Sequence, residues 1–201
     1  MAGDRCGVSS ARLRRVVTPN EIVLDAEAIG RIVRRVASEI VERTRGTQRL
    51  GLVGIQRGGA SIAERLAVEI ERAEGRVVPV GTIDITLYRD DAASALPDPK
   101  VGPSRIEWDV EDGEVVLVDD VLHTGRTVRA AIDCLFDYGR PRRIWLAVLC
   151  DRGQRQLPIA ADFVGRTLDV PAGYVLDVVA DGSGDDRASL RPRETSQGGG
   201  A

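Results

Sequence analysis

Apolar residues recur along this chain at two periods, and the switches between those periods mark its elements. After Asp25, a residue suited to capping a helix, Ile29, Ile32, Val33, Val36, Ala37, Ile40 and Val41 fall at i, i+3, i+4 spacing, which predicts one buried helix face. Residues 50–55 are apolar and predict a buried strand. Helical spacing resumes over 60–73 through Ile62, Leu66 and Ile70 and stops at Gly75. Residues 77–87 and 115–119 predict two further strands. Ala130, Ala131, Cys134 and Leu135 then mark a helix that Gly139 and Pro141 end, before a strand over 144–149 and shorter ones at 163–164 and 174–179. Strands alternating with helices, several of them apolar throughout, imply an α/β domain with a mostly parallel sheet covered on both faces. Ligands of such sheets sit beyond the carboxyl ends of the strands, and two glycine-bearing loops, at 56–59 and 124–127, fall at that edge.

Residues 21–190 make up this domain. Residues 1–20 carry Arg5, Arg12, Arg14 and Arg15 with no apolar stretch behind them, so they read as a flexible arm or as a basic arm for RNA or a partner. Residues 191–201 read as a disordered tail. The stretch 90–110 holds Pro97, Pro99 and Pro103 and lacks periodicity; it is either a functional lid or a disordered insertion.

Composition narrows the class. A chain of 201 residues, 43% apolar and 29% charged, suits one globular domain with a real core, and no apolar run is long enough to span a membrane. A net charge of −3 excludes a chain-wide cationic surface for nucleic acid but not a local patch. Lys100 is the only lysine among 28 basic residues. That bias fits GC-rich coding, except where particular arginines acquire neighbours that need a planar fork of donors. Cys6, Cys134 and Cys150 are far apart with no CxxC, and His123 is the only histidine, which argues against a zinc site or a disulfide framework and for a reducing, cytoplasmic setting.

The segment VVLVDDVLHTGRT (115–127) carries the chemistry. An apolar strand delivers Asp119 and Asp120 at its end, and a loop rich in hydroxyls and glycine opens a helix. Thr124, Gly125, Arg126 and Thr127 can offer backbone N–H groups, two hydroxyls and the positive end of the helix dipole, which together make a phosphate cradle. The spacing fits neither GxGxxG nor GxxxxGK[ST]. A phosphate beside two acids suggests a sugar phosphate whose hydroxyls the acids accept. Successive strand residues point to opposite faces, so Asp119 and Asp120 do unequal jobs.

This segment resembles the phosphoribosyl-pyrophosphate signature of type I phosphoribosyltransferases. Together with GTIDITLYRDD (81–91) and DYGRPRRIWLAVLCDRGQRQLPIAADFVG (137–165), it is similar to the pyrimidine-operon regulators that are also uracil phosphoribosyltransferases, over residues 25–165. The resemblance implies the type I phosphoribosyltransferase fold with a small hood, and a Mg²⁺-dependent reaction of uracil with phosphoribosyl pyrophosphate giving UMP and pyrophosphate. In part of the family it also implies UMP-dependent binding of leader mRNA that controls transcription termination. Members are homodimers or higher homo-oligomers.

Carried residue by residue, Asp119, Asp120, Val121, Leu122, His123, Thr124, Gly125, Arg126 and Thr127 would hold ribose and 5′-phosphate. Ile55, Gln56, Arg57 and Gly58 match the family's pyrophosphate loop, and Thr86 to Asp90 match the start of its mobile catalytic loop, with Tyr88 and Arg89 placed to close over pyrophosphate. Arg57, Tyr88, Arg89, Asp119 and Asp120 are the catalytic candidates. Asp151 is the metal candidate, and Arg152 follows it near the metal and base. Val164, Gly165 and Leu168 lie on the base side, and Arg31, Arg34, Arg35, Arg155 and Arg166 would form the RNA face.

The sequence departs from the family at several places. Gln56 replaces Thr, His123 replaces Tyr, Gln154 replaces His, and Ala160 stands where RNA-binding members have Arg. After Gly165 the expected basic stretch gives way to residues 166–173, and VGRTL and FDYGRP resemble the proteobacterial branch. Two other readings remain open: a nucleotide-sensing RNA regulator with little catalysis, and a salvage transferase for another base.

Overall fold

The computed structural model describes residues 18, 20–86, 88 and 104–193 in two sheets. In chain order the elements are β1 (Glu21–Leu24), α1 (Ala26–Thr44), β2 (Leu50–Ile55), α2 (Gly58–Glu74), β3 (Val80–Ile83), β4 (Glu114–Leu122), α3 (Arg126–Leu135), β5 (Arg143–Asp151), β6 (Phe163–Thr167), β7 (Tyr174–Val179) and β8 (Arg187–Pro192). The larger sheet runs β3-β2-β4-β5-β6 with every pairing parallel, and the smaller, antiparallel one runs β1-β8-β7.

Alternation along the central strands divides the interior. Leu50 and Leu52 of β2 and Val116 and Val118 of β4 pack against α1 and α2, while Val53, Ile55, Val115 and Leu117 face α3. Both faces are covered, which is why these strands read as unbroken apolar runs. Asp25 caps α1 as expected, its Oδ1 accepting from the Ala28 N–H at 2.8 Å, and the six predicted positions from Ile29 to Ile40 are all buried.

Three boundaries differ from the pattern. The strand expected over 77–87 is confined to β3, because the Asp84 side chain accepts from both the N–H and the hydroxyl of Thr86 and turns the chain. β4 runs on past Asp119 to Leu122, held by pairing with β5 as far as Asp151. The domain also extends beyond residue 190: Arg191 and Pro192 belong to β8, opposite Val175 and Tyr174.

Of the stretch 90–110, residues 104–110 are packed. Arg105 exchanges two backbone hydrogen bonds with Thr82, and the Trp108 ring lies against Gly51 and Gly81, where a Cβ would come within 2.5 and 2.9 Å of it. The remainder of that stretch, residues 1–17 and residues 194–201 lie outside the described residues. Among the described residues no helix is long and apolar enough to cross a membrane.

Candidate active site

Strand order reverses at β2 and β4: the chain leaves β2 toward β3 on one side and β4 toward β5 on the other. That switch point opens a crevice at the carboxyl edge of a parallel sheet. A cleft of about 460 Å³ lies there, walled by residues 56–58 after β2, residues 84–86 after β3, Asp119, Asp120 and Val121 at the end of β4, and Thr127 on α3.

The loop after β2 comes unusually close to β4. A Cβ on Gly58 would lie 2.1 Å from Asp120 Oδ2, and one on Gly59 2.0 Å from the Val118 carbonyl oxygen, so only glycine permits this approach. The Gln56–Arg57 peptide is cis. Asp119 and Asp120 follow the strand alternation: Asp120 turns to Gly58 and the α2 side, and Asp119 to the other face. Asp119 is 6% exposed, and its Oδ1 accepts from the Asp120 N–H at 3.0 Å; Asp120 Oδ1 accepts from the Val121 N–H at 2.7 Å. Burial pushes both carboxyls above the ordinary range, and the charge of Asp120 adds to the effect on Asp119. A ligand donating hydroxyls, or a cation, would favour their ionised forms.

The loop after β4 is braced from behind by residues 152–159. The Thr124 carbonyl accepts from the N–H groups of Gln156 and Leu157, and Gly125, at φ 91°, lies against Leu157 and Ile159. Arg155 reaches into the same region: its Nη1 donates to the His123 carbonyl at 2.8 Å, its Nε to the Ile159 carbonyl at 3.0 Å, and its Nη2 pairs with Asp151 Oδ2 at 2.6 Å. His123 Nε2 meets Gln154 Oε1 at 3.2 Å, so two positions at which the sequence departs from the family are in contact; burial lowers the imidazole pKa.

The structure therefore gathers Gln56, Arg57, Gly58, Asp119, Asp120, Val121 and Thr127 in one cleft, with His123, Thr124, Gly125 and Arg126 in the adjoining loop. Ile55 and Leu122 are fully buried in the α3-side core, so only their backbone can serve a ligand. Arg126 directs its Nε to Gln156, behind the loop.

Tyr88 is not at the cleft. Its hydroxyl donates to Asp137, past the far end of α3, and its ring packs on the α3-side core. Arg89 lies outside the described residues. Val164 and Gly165 offer their carbonyls to Arg35, at 3.0 and 2.6 Å, on the outer flank of the edge strand β6, away from the cleft. Leu168 is tied by its N–H to the Asp151 carbonyl at the end of β5.

Arg155 is a packing residue rather than part of an exposed basic face, and Asp151 is its counter-ion. Arg31, Arg34, Arg35 and Arg166 are exposed, with Arg31 and Arg35 paired to Glu27 and Glu39 on the same helix. Sequence reasoning missed Asp84; its signal was an Asp two residues before Thr86 at a strand end, the pattern of a side-chain-capped turn.

Comparison with known proteins agrees with this geometry. Residues 19–175 match the phosphoribosyl transferase domain family. The chain is 50% identical over 173 residues to the bifunctional protein PyrR of Thermus thermophilus, covering 86% of this chain and 96% of that protein. It is 55% identical over 146 residues to the bifunctional protein PyrR of Roseiflexus sp., covering 73% of this chain and 80% of that one. Among solved structures, the hypoxanthine phosphoribosyltransferase of Trypanosoma cruzi superposes with a TM-score of 0.64 at 20% identity, over 87% of this chain and 98% of that chain, a likeness of fold.

Proposed function

Since the chain belongs to the phosphoribosyl transferase domain family, we propose that it is a uracil phosphoribosyltransferase that also serves, with UMP bound, as an RNA-binding regulator of pyrimidine genes. The observation that carries the enzymatic reading is the switch-point cleft, which the pyrophosphate-loop candidates Gln56, Arg57 and Gly58 line together with Asp119 and Asp120, Gly58 lying against Asp120.

The reaction breaks the bond from the anomeric carbon to pyrophosphate and forms one to uracil N1, whose proton leaves to solvent or to the departing pyrophosphate. Positive charge grows on the ribose ring during this exchange. Asp119 and Asp120 accept the ribose hydroxyls and offset that charge, and amides at the start of α3 hold the 5′-phosphate. Arg57 and the close backbone of the β2–α2 loop hold pyrophosphate as its negative charge rises. No strong general base is required; alignment of the two substrates and stabilisation of the leaving group suffice.

The donors around the cleft are oxygen: Asp84, Asp119 and Asp120 with Gln56 and Thr86. Among the described residues no three His, Cys, Asp or Glu side chains form a cage for a metal. Oxygen donors of this kind suit Mg²⁺, which binds through one or two carboxylates plus substrate phosphates. When bound it supplies charge neutralisation to pyrophosphate.

For the RNA role, the exposed arginines of α1 and Arg166 support a phosphate-binding face, with Arg155 excluded from it. A cytoplasmic homo-oligomer is part of the same reading. Incubating the protein with phosphoribosyl pyrophosphate, Mg²⁺ and uracil should yield UMP and pyrophosphate. Pyrophosphate release on hypoxanthine or guanine, and none on uracil, would overturn the assignment.

A further inference from the structure

Arg155 lies behind the loop after β4, and each of its three guanidinium nitrogens is engaged inside the protein. Nε donates to the Ile159 carbonyl at 3.0 Å, and Nη2 meets Asp151 Oδ2 at 2.6 Å. Nη1 is shared among the carbonyls of His123 at 2.8 Å, Gly153 at 3.3 Å and Leu122 at 3.4 Å. One side chain, 22% exposed, thus ties the end of β4 to both ends of its own loop. That loop adds two bonds, the N–H groups of Gln156 and Leu157 donating to the Thr124 carbonyl at 3.0 and 3.1 Å.

A trans peptide is planar, and its C=O and N–H point in opposite directions. The peptides after His123 and Thr124 are trans. Drawing the His123 carbonyl onto Arg155, and the Thr124 carbonyl onto residues 156 and 157, therefore aims the N–H groups of Thr124 and Gly125 away from this brace. Successive amides turned to one side make a concavity for an anion. A lysine at position 155 could pair with Asp151, but a compact ammonium cannot span acceptors on two chain segments as a planar fork does.

We propose that Arg155 is a positioning residue for the reaction: from outside the cleft it sets the peptide planes of the loop after β4, so that the Thr124 and Gly125 amides are aligned before the substrate's phosphate arrives. It touches no substrate atom and acts through the backbone, a role distinct from the RNA contact that the resemblance implies for it. Alignment made in advance lowers the cost of binding and of reaching the reactive geometry. The proposal rests on the phosphoribosyltransferase reading of the cleft, and its test separates the two.

Arg155→Lys keeps a charge beside Asp151 and removes the fork. Glu114→Ala is the control for lost stability: it breaks the Trp145 Nε1 bond at 2.8 Å and the Arg142 ion pair at the start of β4, the opposite end of that strand. Steady-state kinetics are measured where both variants are folded, beside amide exchange. In Arg155→Lys the KM for phosphoribosyl pyrophosphate should rise about tenfold, the loss of about one well-aligned amide–phosphate hydrogen bond. The KM for uracil at saturating phosphoribosyl pyrophosphate should stay within about twofold, and Glu114→Ala should keep both values. The Gln156 and Leu157 amides should exchange faster in Arg155→Lys alone. An unchanged KM for phosphoribosyl pyrophosphate in Arg155→Lys, or an equal rise in Glu114→Ala, overturns the proposal. If the wild type forms no UMP, the enzymatic reading falls by itself. Exchange then decides for Arg155: faster at Gln156 and Leu157 supports it as organiser of the loop, and unchanged exchange overturns it.

Discussion

Gly58→Ala tests the geometry of the cleft most directly. The added Cβ would stand 2.1 Å from Asp120 Oδ2, 2.4 Å from its Cγ and 2.9 Å from its Cβ. Ordinary contact begins near ~3.5 Å, so the whole Asp120 side chain must move by on the order of 1 Å. Moving it breaks the 2.7 Å hydrogen bond from the Val121 N–H to Asp120 Oδ1. Misplacement of that size at a reacting centre costs roughly 10²-fold in kcat/KM, and overpacking of this kind lowers stability by about 1–3 kcal/mol. Steady-state kinetics with uracil and phosphoribosyl pyrophosphate, beside denaturant melts, measure both. The effect runs through the Asp120 side chain, so adding Gly58→Ala to Asp120→Gly, which removes that side chain down to and including its Cβ, should cost little further activity. Gly30→Ala is the matched control: its Cβ would have Arg34 Nη1 at 3.7 Å as nearest neighbour, and alanine should stabilise α1 by about 0.5–1 kcal/mol. Wild-type kinetics for Gly58→Ala, or an equal loss on the Asp120→Gly background, would refute the reasoning.

Other outcomes follow from the same contacts. Asp119 is held above the ordinary carboxylate pKa by burial, so the folded state favours its neutral form; that stability is complete below the unfolded pKa and is lost as pH rises toward the folded one. Asp119→Asn, permanently neutral, should raise Tm by a few degrees at neutral pH and give no gain in acid where both states are protonated, as thermal melts across pH will show. Arg155→Met removes the donor to four carbonyls and to Asp151 and should cost about 3 kcal/mol in urea unfolding, whereas Arg34→Gln, exposed on α1, should cost under about 0.5 kcal/mol. Asp186, 7% exposed, holds Arg65 of α2 at 2.6 Å and accepts from the Gly182 N–H; Asp186→Ala should destabilise by about 3 kcal/mol and detach the β7–β8 turn, read as faster amide exchange there.

The central sheet was legible because a strand buried on both faces leaves only apolar residues to read, as in residues 50–55 and 115–118. The small sheet was only partly legible. β7 was seen, but β1 is four residues long and β8 buries Ala188, Ser189 and Leu190 between arginines, so it was not seen as a strand and its last two residues read as the start of a tail. Its strand character comes from pairing with residues far away in sequence. The cleft was legible where backbone chemistry decides: glycine where two loops touch, hydroxyls and amides at a helix start. It was illegible where side-chain direction decides. Nothing local tells that Arg155 turns inward to Asp151, that Tyr88 docks on Asp137, or that the carbonyls of Val164 and Gly165 are taken by Arg35 of α1, far away in sequence.

The order of the small sheet also bears on how the molecule is made. β8 lies in the middle, between β1 near the start of the chain and β7, so β1 has no strand to pair with until Arg187–Pro192 has been synthesised. Among the described residues, the five parallel strands and the three helices precede that point. A growing chain can thus complete the parallel core while β1 waits as an open edge, and the small sheet closes only once β8 has emerged. Ribosome-bound chains ending before Arg187 should be the aggregation-prone species, and protection of the β1 amides from exchange should arrive in a single late step.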